Sequence, residues 1–159
     1  MKTIHDVPVI LRREIEALMI KPFLDAFEKE LGHDKTYEIA ASVIEGISLA
    51  QGAEYSEIWG GKDKKAMEKQ RLTWSANGAI ERETLVDDDY RYHFNITKCE
   101  YVQLYERLGM KDMGFLLSCL RDEGFYRGFN PDMKMGRTKC LMCGDDCCDF
   151  RLDFPKEDK

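Results

Sequence analysis

Apolar residues recur every three to four positions at Leu11, Ile15, Leu18, Ile20, Leu24, Phe27 and Leu31, and again at Ala40, Val43, Ile44, Ile47 and Ala50. That is the α-helical period, so the pattern predicts one helix from Pro8 to about Leu31 and another from about Lys35 to Trp59, each burying its stripe. Pro8 suits a first helical turn, and Gly32 and the Gly60-Gly61 pair supply stops. Pro22 has no N–H to donate and crowds the preceding turn, so it is expected to kink or split the first helix. Gly46 and Gly52 offer a neighbour close approach. Residues 62–74 are lysine-rich and predict a third, mostly solvated helix anchored by Met67 and Trp74.

After Asn77-Gly78 the period changes to two. Ile80 to Val86 reads as a strand, Asp87-Asp88-Asp89 as a turn, and Tyr90, Tyr92, Phe94 and Ile96 alternate with Arg91, His93 and Asn95, the signature of a half-buried hairpin. Helices follow over about 98–108 and 112–127, closed by Gly109 and near Gly128. A second hairpin is expected from Met133 to Met142 and from Cys148 to Phe154, with its tip at Gly144-Asp145-Asp146. The fold class is therefore α+β, with N-terminal helices packed on a small antiparallel sheet made of two hairpins separated by a helix pair. The expectation is one domain over 1–159, helical over 1–76 and hairpin-helix-helix-hairpin over 77–159.

Composition narrows the partners. The chain has 159 residues, 43% hydrophobic and 34% charged, with a net charge of −6. That hydrophobic share is too high for a disordered chain, and the negative balance opposes binding to nucleic acid or an anionic membrane. Arg12, Arg13, Glu14 and Glu16 interrupt the apolar start, so it is no signal-peptide core, and a cytoplasmic location with reduced thiols is expected. There is no Gly-rich phosphate loop, HExxH or GxSxG. The expected partner is a small-molecule substrate, with no nucleic acid and no membrane, and a homo-oligomer stays open.

The candidate chemistry is gathered late in the chain, because all six cysteines lie at or beyond Cys99. Thr97-Lys98-Cys99-Glu100 has the form of a capping box, which would set Cys99 in a first helical turn where free N–H groups favour a thiolate, with Glu100 opposing. His93 on the preceding strand is a candidate base. Asp122, after the apolar run Leu116-Leu117, is a candidate general base, while Cys119 beside it and Glu123 reads as a core thiol. Arg137, among apolar neighbours, is a candidate clamp for a carboxylate. Each has a plainer account: packing for Cys99, a solvated position for His93, Asp122 and Arg137. Cys140, Cys143 and Cys147 with Cys148 suggest a zinc knuckle, but adjacent cysteines on a strand point to opposite faces, and no second CxxC is present.

These residues fall in a recognisable order. Cys99-Glu100-Tyr101, Tyr105-Glu106-Arg107-Leu108-Gly109, Met113 to Cys119 with Asp122, Gly128-Phe129-Asn130-Pro131-Asp132, Arg137-Thr138 and Cys148-Asp149-Phe150-Arg151 together resemble the L-2-amino-thiazoline-4-carboxylic acid hydrolase family. The resemblance implies a hydrolase that opens a thiazoline ring to give N-carbamoyl-L-cysteine. It needs a base or nucleophile, an acid and a cation for the carboxylate, roles for which Cys99, Asp122 and His93 are the catalytic candidates and Arg137, Asn130 and Cys148 the substrate-binding ones. No cofactor is required on this reading. Cys140, Cys143 and Cys147 depart from the family pattern, and the C-terminal layout is also similar to ligand-sensing domains of the vinyl-reductase type, so a noncatalytic small-molecule or zinc sensor is the alternative.

Overall fold

A computed structural model describes residues 3–156. Three helices lead, α1 (Val9–Leu31), α2 (His33–Trp59) and α3 (Lys64–Trp74), and a hairpin of β1 (Ile80–Asp87) and β2 (Arg91–Cys99) follows. Next come α4 (Glu100–Arg107), the short α5 (Lys111–Gly114), a π-helical turn over Phe115–Cys119 and α6 (Arg121–Phe129). The chain closes with β3 (Lys134–Gly136), a 3-10 turn over Leu141–Cys143, and β4 (Cys148–Asp153). The architecture is the expected α+β one.

The two hairpins join edge to edge. β2 pairs antiparallel with both β1 and β4, giving a four-stranded sheet in the order β1-β2-β4-β3. Register places Phe94 opposite Phe150, Ile96 opposite Cys148 and Tyr92 opposite Leu152, so one face of the sheet is a continuous buried layer. Phe94 and Phe150 stack with centroids 5.1 Å apart. Phe125, Tyr126 and Phe129 of α6 are buried, with Tyr126 edge-on to Phe150, and the Tyr126 hydroxyl accepts from the buried Gln70 amide of α3 at 2.7 Å. α2 and α6 pack almost backbone to backbone. A Cβ on Gly52 would stand 2.1 Å from the Phe125 carbonyl oxygen, and one on Gly128 would stand 2.0 Å from that of Leu49.

Several local expectations are corrected. Pro22 lies inside one continuous helix rather than splitting it. Leu18, whose carbonyl loses the donor, is exposed, so water can serve in its place. The apolar stripes are also turned. Leu11, Ile15, Leu18, Phe27 and Leu31 of α1 and Val43 and Ile47 of α2 are exposed, whereas α1 buries Val9, Arg12, Ala17 and Leu24, and α2 buries Ile44 with Thr36, Ser48, Gly52, Tyr55, Ser56 and Trp59. Small residues admit α6, and that contact decides which side of α2 faces in. Of the two glycines expected to allow close approach only Gly52 does so; Gly46 faces open space.

The capping box at Thr97 is absent, because Thr97 belongs to β2. Glu81 pairs with Lys98 and Arg82 with Ile96, which leaves Thr97 as the extra residue of a bulge, and Cys99 becomes the residue preceding α4. The second hairpin is shorter than expected. Beyond Gly136 the Asp149 carboxylate takes the N–H groups of Thr138 and Lys139, and Asp145 takes that of Cys140, so side chains replace the ladder. Among the described residues no helix is long and apolar enough to cross a membrane.

Candidate functional site

Between the helical layer and the buried face of the sheet lies a pocket of about 70 Å³. Its floor is Ile80, Ile96, Cys148 and Phe150 from the sheet, and Cys99 closes it where β2 meets α4. Trp74 at the end of α3 and Tyr101 of α4 form apolar walls, and Val9 and Arg13 reach in from the start of α1. The polar groups come chiefly from the join between the π turn and α6, namely Ser118, Cys119, Arg121 and Asp122, and Arg137 enters from beyond β3. Cys119 ends the π turn and Asp122 follows three residues later in the first turn of α6, a spacing that sets both on the pocket side.

Arg137 and Asp122 form an ion pair with both side chains nearly buried, Arg137 Nη1 donating to Asp122 Oδ2. Arg137 Nη2 donates to the Cys119 carbonyl at 3.2 Å, and the guanidinium lies over the rings of Phe115 and Phe150. Burial pushes the Asp122 carboxyl up to about 6, while the Arg137 charge and hydrogen bond pull it down. A second cluster joins Arg13, Arg121 and Glu16. Arg13 Nη1 and Arg121 Nη2 both donate to Glu16 Oε2, and Arg121 Nε donates to the Leu117 carbonyl at 2.8 Å. Burial, and then repulsion from Arg13, lowers Arg121 to about 10, so it is still charged at neutral pH.

The thiols gather but do not ionise alike. The Cys140 sulfur has Cys119, Cys148 and Cys143 as hydrogen-bond partners, and those bonds, Cys119 first, hold its pKa below the ordinary thiol value. Donating to Cys140 raises Cys119 and Cys148, and burial raises them further. Burial likewise raises Cys99, against the pull of the Tyr101 and Val102 N–H groups, a direction opposite to the one expected for a first-turn thiol. Cys147 is outside this set. Among the described residues no three or more His, Cys, Asp or Glu side chains are grouped so as to hold a metal ion.

Cys99, Asp122, Arg137 and Cys148 thus meet in one pocket, and two other candidates do not join them. His93 is engaged with Asp153 Oδ1 at 2.9 Å. The Asn130 side chain donates to the Lys62 carbonyl at 2.8 Å and accepts from the Asp132 N–H at 2.9 Å, which fixes the turn after α6 against the start of α3.

The sequence model described as L-2-amino-thiazoline-4-carboxylic acid hydrolase matches residues 12–152. The chain belongs to this family. No curated protein matches it. Among solved structures, the phenol-responsive sensory domain of the transcription activator PoxR with phenol is similar at 10% identity and a TM-score of 0.51, covering 85% of this chain and 72% of that one. A trafficking protein particle complex subunit 3 from Naegleria fowleri, covalently bound to palmitic acid, is similar at 12% identity and a TM-score of 0.51, covering 92% and 96%. At such identities the likeness is one of fold.

Within this member of the hydrolase family, the segment Cys148-Asp149-Phe150-Arg151 can be read residue by residue. Cys148 and Phe150 floor the pocket, Asp149 ties down Thr138 and Lys139 next to Arg137, and Arg151 donates to the carbonyls of Phe94 and Phe150, binding β4 to β2. Arg13, Trp74, Tyr101 and Arg121 were not foreseen as lining residues. For Arg13 a signal existed: an arginine pair, Arg12-Arg13, inside an otherwise apolar-periodic turn. For Arg121 the only hint was its place beside Asp122.

Proposed function

We infer that this protein hydrolyses a small cyclic amidine of the L-2-amino-thiazoline-4-carboxylate type, with Asp122 as the base that activates water. The observation that carries this reading is a single buried carboxyl, held by Arg137 and raised to about 6, in a pocket whose neighbouring thiols at Cys99, Cys119 and Cys148 are kept protonated. A base poised near 6 is ionised at neutral pH yet strong enough to take a proton from water. Neutral thiols do not compete as nucleophiles, and Cys140, whose pKa is lowered, is not among the residues that line the pocket.

In the reaction Asp122 takes a proton from water as the water oxygen bonds to the ring carbon between nitrogen and sulfur, and passes it to the ring nitrogen. The C–S bond then breaks with its electron pair on sulfur, the added hydroxyl gives its proton to that sulfur, and a carbamoyl C=O remains. One water is consumed and the carboxylate is restored. Arg137 keeps Asp122 oriented and offsets its charge in the apolar pocket.

A second reading, ligand binding without turnover, is favoured by the largely apolar lining and by the fold shared with a phenol-responsive sensory domain. Incubation with L-2-amino-thiazoline-4-carboxylate and chromatographic detection of N-carbamoyl-L-cysteine separates the two. The hydrolase reading expects product, formed faster as pH rises through about 6. Saturable binding with no product would sustain the sensor instead.

A further inference from the structure

We propose that Arg121, supported by Arg13, is the subsite that receives the carboxylate of the ligand, in place of Arg137. The identity of the ligand's ring rests on the hydrolase reading, while the carboxylate subsite itself does not. Arg137 spends one N–H of each Nη on Asp122 and the Cys119 carbonyl, which turns the fork of its guanidinium towards them. Arg121 is differently placed. Its Nε and Nη2 are used, but its Nη1 is buried and has no partner, although the residue lines the pocket.

An unpartnered buried donor is costly, and more so when it is charged; Arg82 and Arg12 have such donors as well but do not line the pocket, whereas Arg121 does, where an acceptor can reach it. The local charge agrees. Arg13, Arg121 and Arg137 bring three guanidiniums to the pocket; Asp122 and the Cys140 thiol, whose pKa is lowered, act on Arg137, whereas Arg13 and Arg121 both pair with Glu16. Two of those guanidiniums share one oxygen of Glu16, and the Glu16 side chain is 42% exposed, so water screens its half of the neutralisation. The Tyr105 hydroxyl, also buried without a partner, lies within the field of the same two arginines. The chemistry that fits is a small monoanion, a carboxylate able to accept from Arg121 Nη1 while its ring extends over the Ile96 and Phe150 floor towards Asp122.

The test compares two ligands that differ only in that group, L-2-amino-thiazoline-4-carboxylate and 2-amino-2-thiazoline, by tryptophan fluorescence in the first milliseconds after mixing with the full wild-type chain, so that the Asp122–Arg137 pair stays intact, Trp74 reports on the pocket and turnover does not interfere. Arg121→Gln should weaken the carboxylate ligand at least tenfold and leave the affinity for 2-amino-2-thiazoline unchanged, and Arg121→Lys should recover part of the loss. Equal losses for both ligands would mean that Arg121 only holds the fold. No loss for either, or a selective loss in Arg137→Gln instead, would also overturn the assignment. So would failure of the parent protein to bind the carboxylate ligand. If Arg121→Gln does not fold, Arg13→Gln and Arg121→Lys are judged on the same selectivity. Arg121-dependent binding by a wild-type chain that forms no N-carbamoyl-L-cysteine would remove the hydrolase reading and leave this subsite standing.

Discussion

In α1 the large apolar side chains Ile15, Leu18, Met19 and Phe23 are all more than half exposed, while in β2 and β4 Phe94, Phe150 and Leu152 are at most 2% exposed. Both regions have clean hydrophobic periodicity, so the difference lies in what covers each. β2 and β4 each have a partner on either side and a helical layer on one face, which fixes their inward residues by alternation. α1 meets the rest of the domain through Val9, Arg12, Ala17 and Leu24, and α2 through Ile44 with small residues and the aromatics Tyr55 and Trp59, so most of their other aliphatic residues are left on the outer side. Periodicity therefore reports the element type in both regions, but reports the buried side only where the pairing enforces it.

The polar chemistry of the pocket follows the same division: Asp122, Arg121, Arg137 and the thiols lie in the second half, and from the first only Arg13 reaches in with a charge. Asp122→Asn should therefore have the largest effect of any change considered, lowering turnover by about 10²–10⁴-fold with little change in KM, as expected for loss of a general base. A loss of similar size on removing His93, which is held by Asp153 outside the pocket, would break the division.

Packing gives the next largest contrast. Phe150→Ala should cost about 3–5 kcal/mol in chemical denaturation, because it empties a site between Phe94, Tyr126 and Arg137. Phe23→Ala, in a side chain 53% exposed, should change stability by less than about 0.5 kcal/mol. If Phe23→Ala proves as damaging as Phe150→Ala, the outer face of α1 is covered in solution and the contrast between the two regions disappears.

A smaller effect follows from acid titration of Asp122. Its folded value of about 6 lies above the ordinary 3.8, so the folded protein holds this proton more tightly than the unfolded chain does. The associated stability is fully present below about 4 and is lost as pH rises to about 6, a change on the order of 2–3 kcal/mol. Denaturation midpoints of wild type and Asp122→Asn over that range should diverge accordingly, with the variant lacking this component of the slope. Parallel profiles would place the titration elsewhere.

How much of this was legible in the sequence depended on whether a feature was local. The α+β class, the first hairpin and the order of helices follow from period and turn residues close together in the chain. The pocket half of the candidate site was partly legible, because Cys99, Asp122, Arg137 and Cys148 were singled out by type and neighbours. What could not be read was tertiary. The bulge that takes Thr97 out of its capping role depends on β1, the shortened second hairpin depends on Asp149 and Asp145 outcompeting a ladder, and the convergence of Arg13 with Arg121 spans residues far apart in sequence. Asn130 is the reverse case. It stood in a conspicuous Gly-Phe-Asn-Pro-Asp run, yet its side chain is used to fix a turn.

The smallest predicted effects come from two glycines six residues apart in α2, and they test where the two regions are joined. Gly46 faces open space, so Gly46→Ala should stabilise by about 0.5–1 kcal/mol through helix propensity alone. Gly52 is set against α6, with the Phe125 oxygen, the Phe129 nitrogen and the Gly128 carbonyl carbon all within 3.0 Å of an added Cβ, and these are backbone atoms that cannot rotate away. Gly52→Ala should overcome the same propensity gain and destabilise by a net 1–3 kcal/mol or so, as α6 is forced outward. Because α6 also carries Arg121 and Asp122, the displacement should reach the pocket and lower ligand affinity in the folded variant, whereas Gly46→Ala should leave affinity untouched. A Gly52→Ala protein that loses stability but binds as wild type would mean that the pocket is held by the sheet and the Arg137 pair alone, and that α2 supports α6 without positioning its chemistry.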